Sequence, residues 1–160
     1  MKLSFLAAPA VLLAAAPLMA QAMSPADYVK TAGASDLYER TSSQVVLQTT
    51  RDPRIRAFAQ MMLTDHAKST NDVKHAAMAS HVRPMPPVLT PAQAEMVAQL
   101  RAEQGAARDA AYVAQQRASH DQALAVQQAY AADGTAPALR RVAGTIVPVV
   151  QHHIQMLMQM

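Results

Sequence analysis

Along four long stretches of this chain, apolar residues recur every three or four positions, the spacing of a single helix face. Ser24-Pro25, Asp52-Pro53 and Thr90-Pro91 each set a capping side chain before a proline at the first helical position, and Thr90 with Gln93 fits a capping box. Thr135-Ala136-Pro137 opens a fourth segment after the Asp133-Gly134 turn. The pattern predicts helices over about 25–51, 53–81, 91–132 and 136–159, with a proline-bearing extended loop from Val82 to Leu89. Gly105 is a point at which the third segment can split into a short helix and a longer one. No period-2 alternation bounded by hairpin turns occurs, so the predicted class is all-α, an up-down-up-down four-helix bundle.

In its middle, each stripe carries one titratable residue where a bundle normally places Leu, Ile or Ala. The first helix aligns Tyr28, Ala32, Ser35, Glu39, Ser42 and Val46, and the second Ile55, Phe58, Met62, His66, Ser69 and Val73. The third aligns Asp109, Val113, Gln116, His120, Leu124 and Gln127, a face more polar than a pure core face. The fourth aligns Leu139, Val142, Ile146, Val150, His153, Leu157 and Met160. Glu39 lies 13 residues before Asp52 and His66 14 after it, while His120 lies 14 before Gly134 and His153 19 after it. At about 1.5 Å per residue, the four side chains fall in a layer roughly 8 Å thick.

Composition sets the compartment. Lys2, the apolar run Leu3 to Met19 and Ala20-Gln21-Ala22 read as a Sec-type signal peptide over 1–22, cleaved after Ala22, leaving one domain over 23–160. The expected location is periplasmic or secreted, with no transmembrane segment after cleavage. There is no Cys, so neither a disulfide framework nor thiolate chemistry is available. A formal net charge of +3, with both signs interspersed and no basic run among aromatics, gives no reason to expect nucleic acid.

The strings Arg56-Ala57-Phe58-Ala59-Gln60-Met61-Met62-Leu63-Thr64-Asp65-His66, Asp109-Ala110-Ala111-Tyr112 with His120, and Pro148 with His153 carry a resemblance. They resemble an exported bacterial family, the domain-of-unknown-function family numbered 4142, whose members are often labelled outer-membrane proteins and placed among ferritin-like bundles. The resemblance covers about Tyr28 to Leu157 and implies a ferritin-like fold and an exported location, but no established activity. Ala111 departs from the family's frequent basic residue, and Ala107 or Arg108 from its frequent Phe. The outer-membrane label finds no barrel-strand pattern here.

Two chemistries compete for the interior layer. Glu39, His66, His120 and His153 could form a mononuclear site for zinc, copper or iron. A ferritin-type di-iron centre needs Glu-x-x-His motifs, and Leu63 and Val150 stand where those glutamates would be. Alternatively the imidazoles are satisfied by an interior polar network of Asp65, Asp109, Tyr112 and Gln116 with Glu39, and no cofactor is expected. His153, Met156 and Met160 share a face that would suit Cu(I), although methionine also fills cores. Phosphate loops, nucleophile elbows and His-Glu-x-x-His are missing, and adjacent Asp65 and His66 diverge by about 100° on a helix. The expectation is an exported, non-enzymatic binding or structural protein of the bacterial envelope, with an envelope protein or a second copy as its partner. The alternative is a metal-binding protein or a metal-dependent oxidoreductase.

Overall fold

The computed structural model of the chain describes residues 22–160, so all but the last residue of the expected leader lies outside the described residues. Five helices and no strand form among them: α1 (Pro25–Leu47), α2 (Pro53–Ala79), α3 (Pro91–Ala102), α4 (Gly105–Asp133) and α5 (Pro137–Leu157). The caps read from the sequence are present. Ser24 Oγ accepts from the Asp27 amide at 3.1 Å, Asp52 Oδ1 from the Arg54 amide at 2.8 Å, and Thr90 with Gln93 closes a reciprocal capping box.

Two boundaries differ from the periodicity. Helix α1 stops at Leu47, because Asp52 must be extended (φ −73°, ψ 119°) to cap α2 ahead of Pro53. The third segment is broken at Glu103-Gln104, both extended, and α4 begins at Gly105 with φ +54°. That left-handed value is one a residue with a Cβ adopts only under strain, so the glycine sets the break.

Helix α1 packs along α2 and α4 along α5, and α2 on α5 with α1 on α4 completes a ring of four long helices. Helix α3 lies across α1 and α4. The proline-bearing loop returns over α1, where a Cβ on Gly33 would sit 3.3 Å from Pro87. At the α4–α5 turn a Cβ on Gly134 would come within 2.5 Å of the Tyr130 carbonyl, so only glycine fits that close approach.

The apolar core comes in two parts. One gathers Tyr28, Ala32, Val73, Tyr130 and Leu139, with the Tyr28 and Tyr130 rings stacked at 3.9 Å. The other gathers Val46, Phe58, Met62, Leu100, Tyr112 and Leu157, and Met156 and Met160 pack against it as core filler. Between the two on α1, α2, α4 and α5 lie Asp36 and Glu39, His66, His120 and His153, all buried. The titratable residues form a layer across the middle of the ring.

Candidate metal centre

Each imidazole in this layer is anchored by the nitrogen that faces outward. His66 Nδ1 on α2 donates to Asp36 Oδ1 on α1 at 2.8 Å, and the other Asp36 oxygen accepts from Thr70 Oγ1 at 3.0 Å. His120 Nδ1 on α4 donates at 2.9 Å to the Gln116 carbonyl one turn earlier. His153 Nε2 on α5 donates to Asp65 Oδ2 at 3.0 Å. A carbonyl or carboxylate oxygen can only accept, so these contacts fix where the ring protons sit in the neutral tautomers.

The second nitrogen of each ring is left with its lone pair, and the three converge. One ring nitrogen from each of His66, His120 and His153 lies within 4.8 Å of the others. His120 Nε2 and His153 Nδ1 are 3.3 Å apart, while His66 Nε2 is buried without a hydrogen-bond partner. Two lone pairs at hydrogen-bond distance repel unless a proton or a cation lies between them. Two nitrogens held at about 2.0–2.1 Å by a tetrahedral zinc-class ion stand roughly 3.3–3.4 Å apart, so this pair is already at ligand spacing. Phe58 forms an apolar wall, its ring centre 6.1 Å from that of His120 and 6.2 Å from that of His153.

Glu39 is level with the rings but on the other side of His120. Its Oε1 is 3.8 Å from His120 Nδ1, the nitrogen given to Gln116, and accepts from Ser119 Oγ at 2.7 Å. Its Oε2 is buried without a partner, and burial raises its pKa, against the smaller opposing pull of His66. The polar-network residues divide as well. Asp65 and Gln116 bond imidazoles, and Gln116 Nε2 also donates to Ser42 Oγ at 3.2 Å. Tyr112 meets Ser43 at 2.8 Å and Asp109 accepts from Thr50 at 3.0 Å, both away from the rings. His152 is exposed beside the buried His153, and His75 and His81 are on the surface.

Asp36 has no counterpart in the sequence reading, yet it is 4% exposed and anchors His66. The signal was present: it lies four residues after Ala32 and three before Glu39, on the same helix face. Neighbours Asp65 and His66 reach different helices, α5 and α1, as their divergence on α2 requires.

Burial pushes His120 and His153 down to about 4, with the charge of His66 acting in the same direction. Burial also opposes charge on His66, but its hydrogen bond to Asp36 and the nearby Glu39, Asp36 and Asp65 raise its pKa overall. Between pH 6.5 and 4.5 the unfolded chain therefore binds protons at His120 and His153 that the folded chain refuses, partly offset by buried Glu39, whose pKa burial raises. His66 adds stability that is complete below its unfolded value and is lost as pH rises through its folded one. Metal-free protein is therefore expected to lose stability from pH 6.5 to 4.5, by about 1.4 kcal/mol per pH unit for each net proton taken up on unfolding. Urea unfolding at the two values checks this, and equal or greater stability at the lower pH refutes it.

Comparison with known proteins bears on family and fold. The family described as Domain of unknown function (DUF4142) matches residues 10–160. A DUF305 protein from Streptomyces coelicolor, provisionally described as secreted, is similar in structure with a TM-score of 0.70 at 14% identity, over 84% of this chain and 88% of that one. A DUF305 fragment from Deinococcus radiodurans gives 0.71 at 15% identity, over 84% and 93%. No curated protein matches the chain. At such identities the two structures speak for the helical fold alone.

Proposed function

The chain belongs to the DUF4142 family, a domain of unknown function, and we propose that it is a metal-binding protein whose site is His66, His120 and His153. The observation that carries this reading is the convergence of three imidazole lone pairs, two of them 3.3 Å apart, with the far nitrogen of each ring bonded to an acceptor. Outer-sphere acceptors of this kind orient metal-binding histidines and increase the basicity of the ligating nitrogen. Three neutral nitrogens suit zinc, copper(II) or iron(II). Glu39 serves beside the centre, through Ser119 and His120, instead of as a fourth ligand.

The setting is an exported protein of the bacterial envelope. The leader ends at Ala22, residues 23–160 form a single domain, and the ring of long helices is an up-down-up-down ferritin-like bundle with α3 as an added segment. No described helix is long and apolar enough to cross a membrane. Amino-terminal sequencing of the protein recovered from the envelope fraction should begin at Met23, and a chain retaining Lys2 would refute export with cleavage.

The metal reading is tested by melting the purified protein with a chelator and with one equivalent of zinc or copper. A ligand at 100 times its dissociation constant adds about 2.7 kcal/mol, roughly 8–12 °C for a domain of this size. A melting temperature that neither chelator nor metal moves overturns the reading. That outcome selects a second one, favoured by the raised pKa of His66. A protonated His66 would direct Nε2–H at the other two rings, and the layer would be a metal-free network that sets helix register.

A further inference from the structure

We infer that a metal held by His66, His120 and His153 keeps one coordination position open toward a solvent-accessible cavity beside the layer, and binds a single small ligand there: water or a compact anion. This rests on the metal reading above.

Structural zinc-class sites are closed by four protein ligands, whereas three protein ligands leave a position for an exogenous molecule. Among the described residues the cluster holds three imidazoles and no fourth metal-ligating side chain. Glu39, the nearest carboxyl to His120, lies at the ring nitrogen that bonds Gln116 and is itself bonded to Ser119.

A cavity of about 130 Å³ abuts the layer, walled by His66 and His153, by Asp36 and Asp65, the two carboxyls that anchor them, and toward solvent by exposed Lys68 and Val149. One water needs about 10–15 Å³ on this measure, so several fit. The cavity exists because positions beside the layer hold small side chains, with Ser69 on α2 and Ala123 on α4 among its walls. A leucine at either position would fill much of it. The volume admits water, azide or a similarly compact species.

The test uses cobalt(II) as the metal and azide as the ligand, read by absorption in the visible range. The purified protein should bind one cobalt(II), and azide should then shift its ligand-field bands saturably with a one-to-one endpoint. Ala123→Leu and Ser69→Leu, each checked for helix content, should still bind cobalt(II) but weaken azide at least tenfold. Cobalt(II) bands that azide leaves unchanged would mean a closed site, overturning this inference while the metal reading stands. Azide binding undiminished in a folded cavity-filling variant would place the open position elsewhere and overturn it as well. Failure to bind cobalt(II), zinc or copper at all would overturn both. Should neither variant fold, the azide titration of the unsubstituted protein decides between an open and a closed site.

Discussion

Asp36→Ala destabilises the metal-free protein by about 3–5 kcal/mol, the cost of removing one partner from a buried ion pair. The size follows from what the carboxyl does. Asp36 is 4% exposed and accepts from His66 Nδ1 and Thr70 Oγ1 through different oxygens, tying α1 to α2 at mid-height. With alanine there, neither nitrogen of the His66 ring has a hydrogen-bond partner, since Nε2 is already without one. Asp36→Asn separates charge from geometry, because its amide oxygen still accepts from His66 while its amide nitrogen can donate to Thr70 Oγ1, whose own proton goes to the His66 carbonyl at 2.7 Å. That variant should lose about 1–3 kcal/mol. Urea unfolding of the three proteins at pH 6.5 with a chelator present gives the comparison. An Asp36→Ala protein within about 1 kcal/mol of its parent would show that the pair contributes little.

His120→Ala weakens zinc binding more than about 100-fold, beyond the roughly 10–100-fold that loss of an outer-sphere partner costs. It removes one of the two nitrogens already at ligand spacing, leaving His66 and His153 with no third donor. Asp65→Asn falls in the smaller class. An asparagine oxygen still accepts from His153 Nε2, so the ring keeps its tautomer and loses only the polarising charge. Competition for zinc against a chromophoric chelator measures both. A parental affinity in His120→Ala would remove that ring from the ligand set, and with it the converging arrangement of the three histidines.

The sequence makes three features legible for separate physical reasons. Caps are local chemistry, so the starts at Ser24-Pro25, Asp52-Pro53 and Thr90-Pro91 can be read without knowing the fold. Periodicity identifies the buried face of a helix, and with it His66, His120 and His153. Depth follows from rise per residue and sets Glu39 level with the rings. What a stripe cannot supply is which neighbour a side chain meets. That depends on how each helix is rotated against the next, a property of the packed ring. Hence Asp65 bonds His153 across α2 and α5, and Glu39 stands at the far nitrogen of His120. Asp36 was hidden for a related reason, since a search for one polar exception per helix stops at Glu39 and passes over the carboxyl one turn earlier.

The division of the core has a consequence for how the molecule opens. Tyr28, Val73 and Leu139 on one side and Phe58, Met62 and Leu157 on the other are joined through a buried polar layer that contributes little apolar adhesion of its own. Such a layer is a seam: each half can loosen without pulling apart the contacts of the other, and amide exchange would then report two opening free energies. An ion drawing α2, α4 and α5 together at the seam would act as a rivet. It would merge the two halves into one cooperative unit, so that the amides beside Tyr130 and those beside Leu157 exchange together.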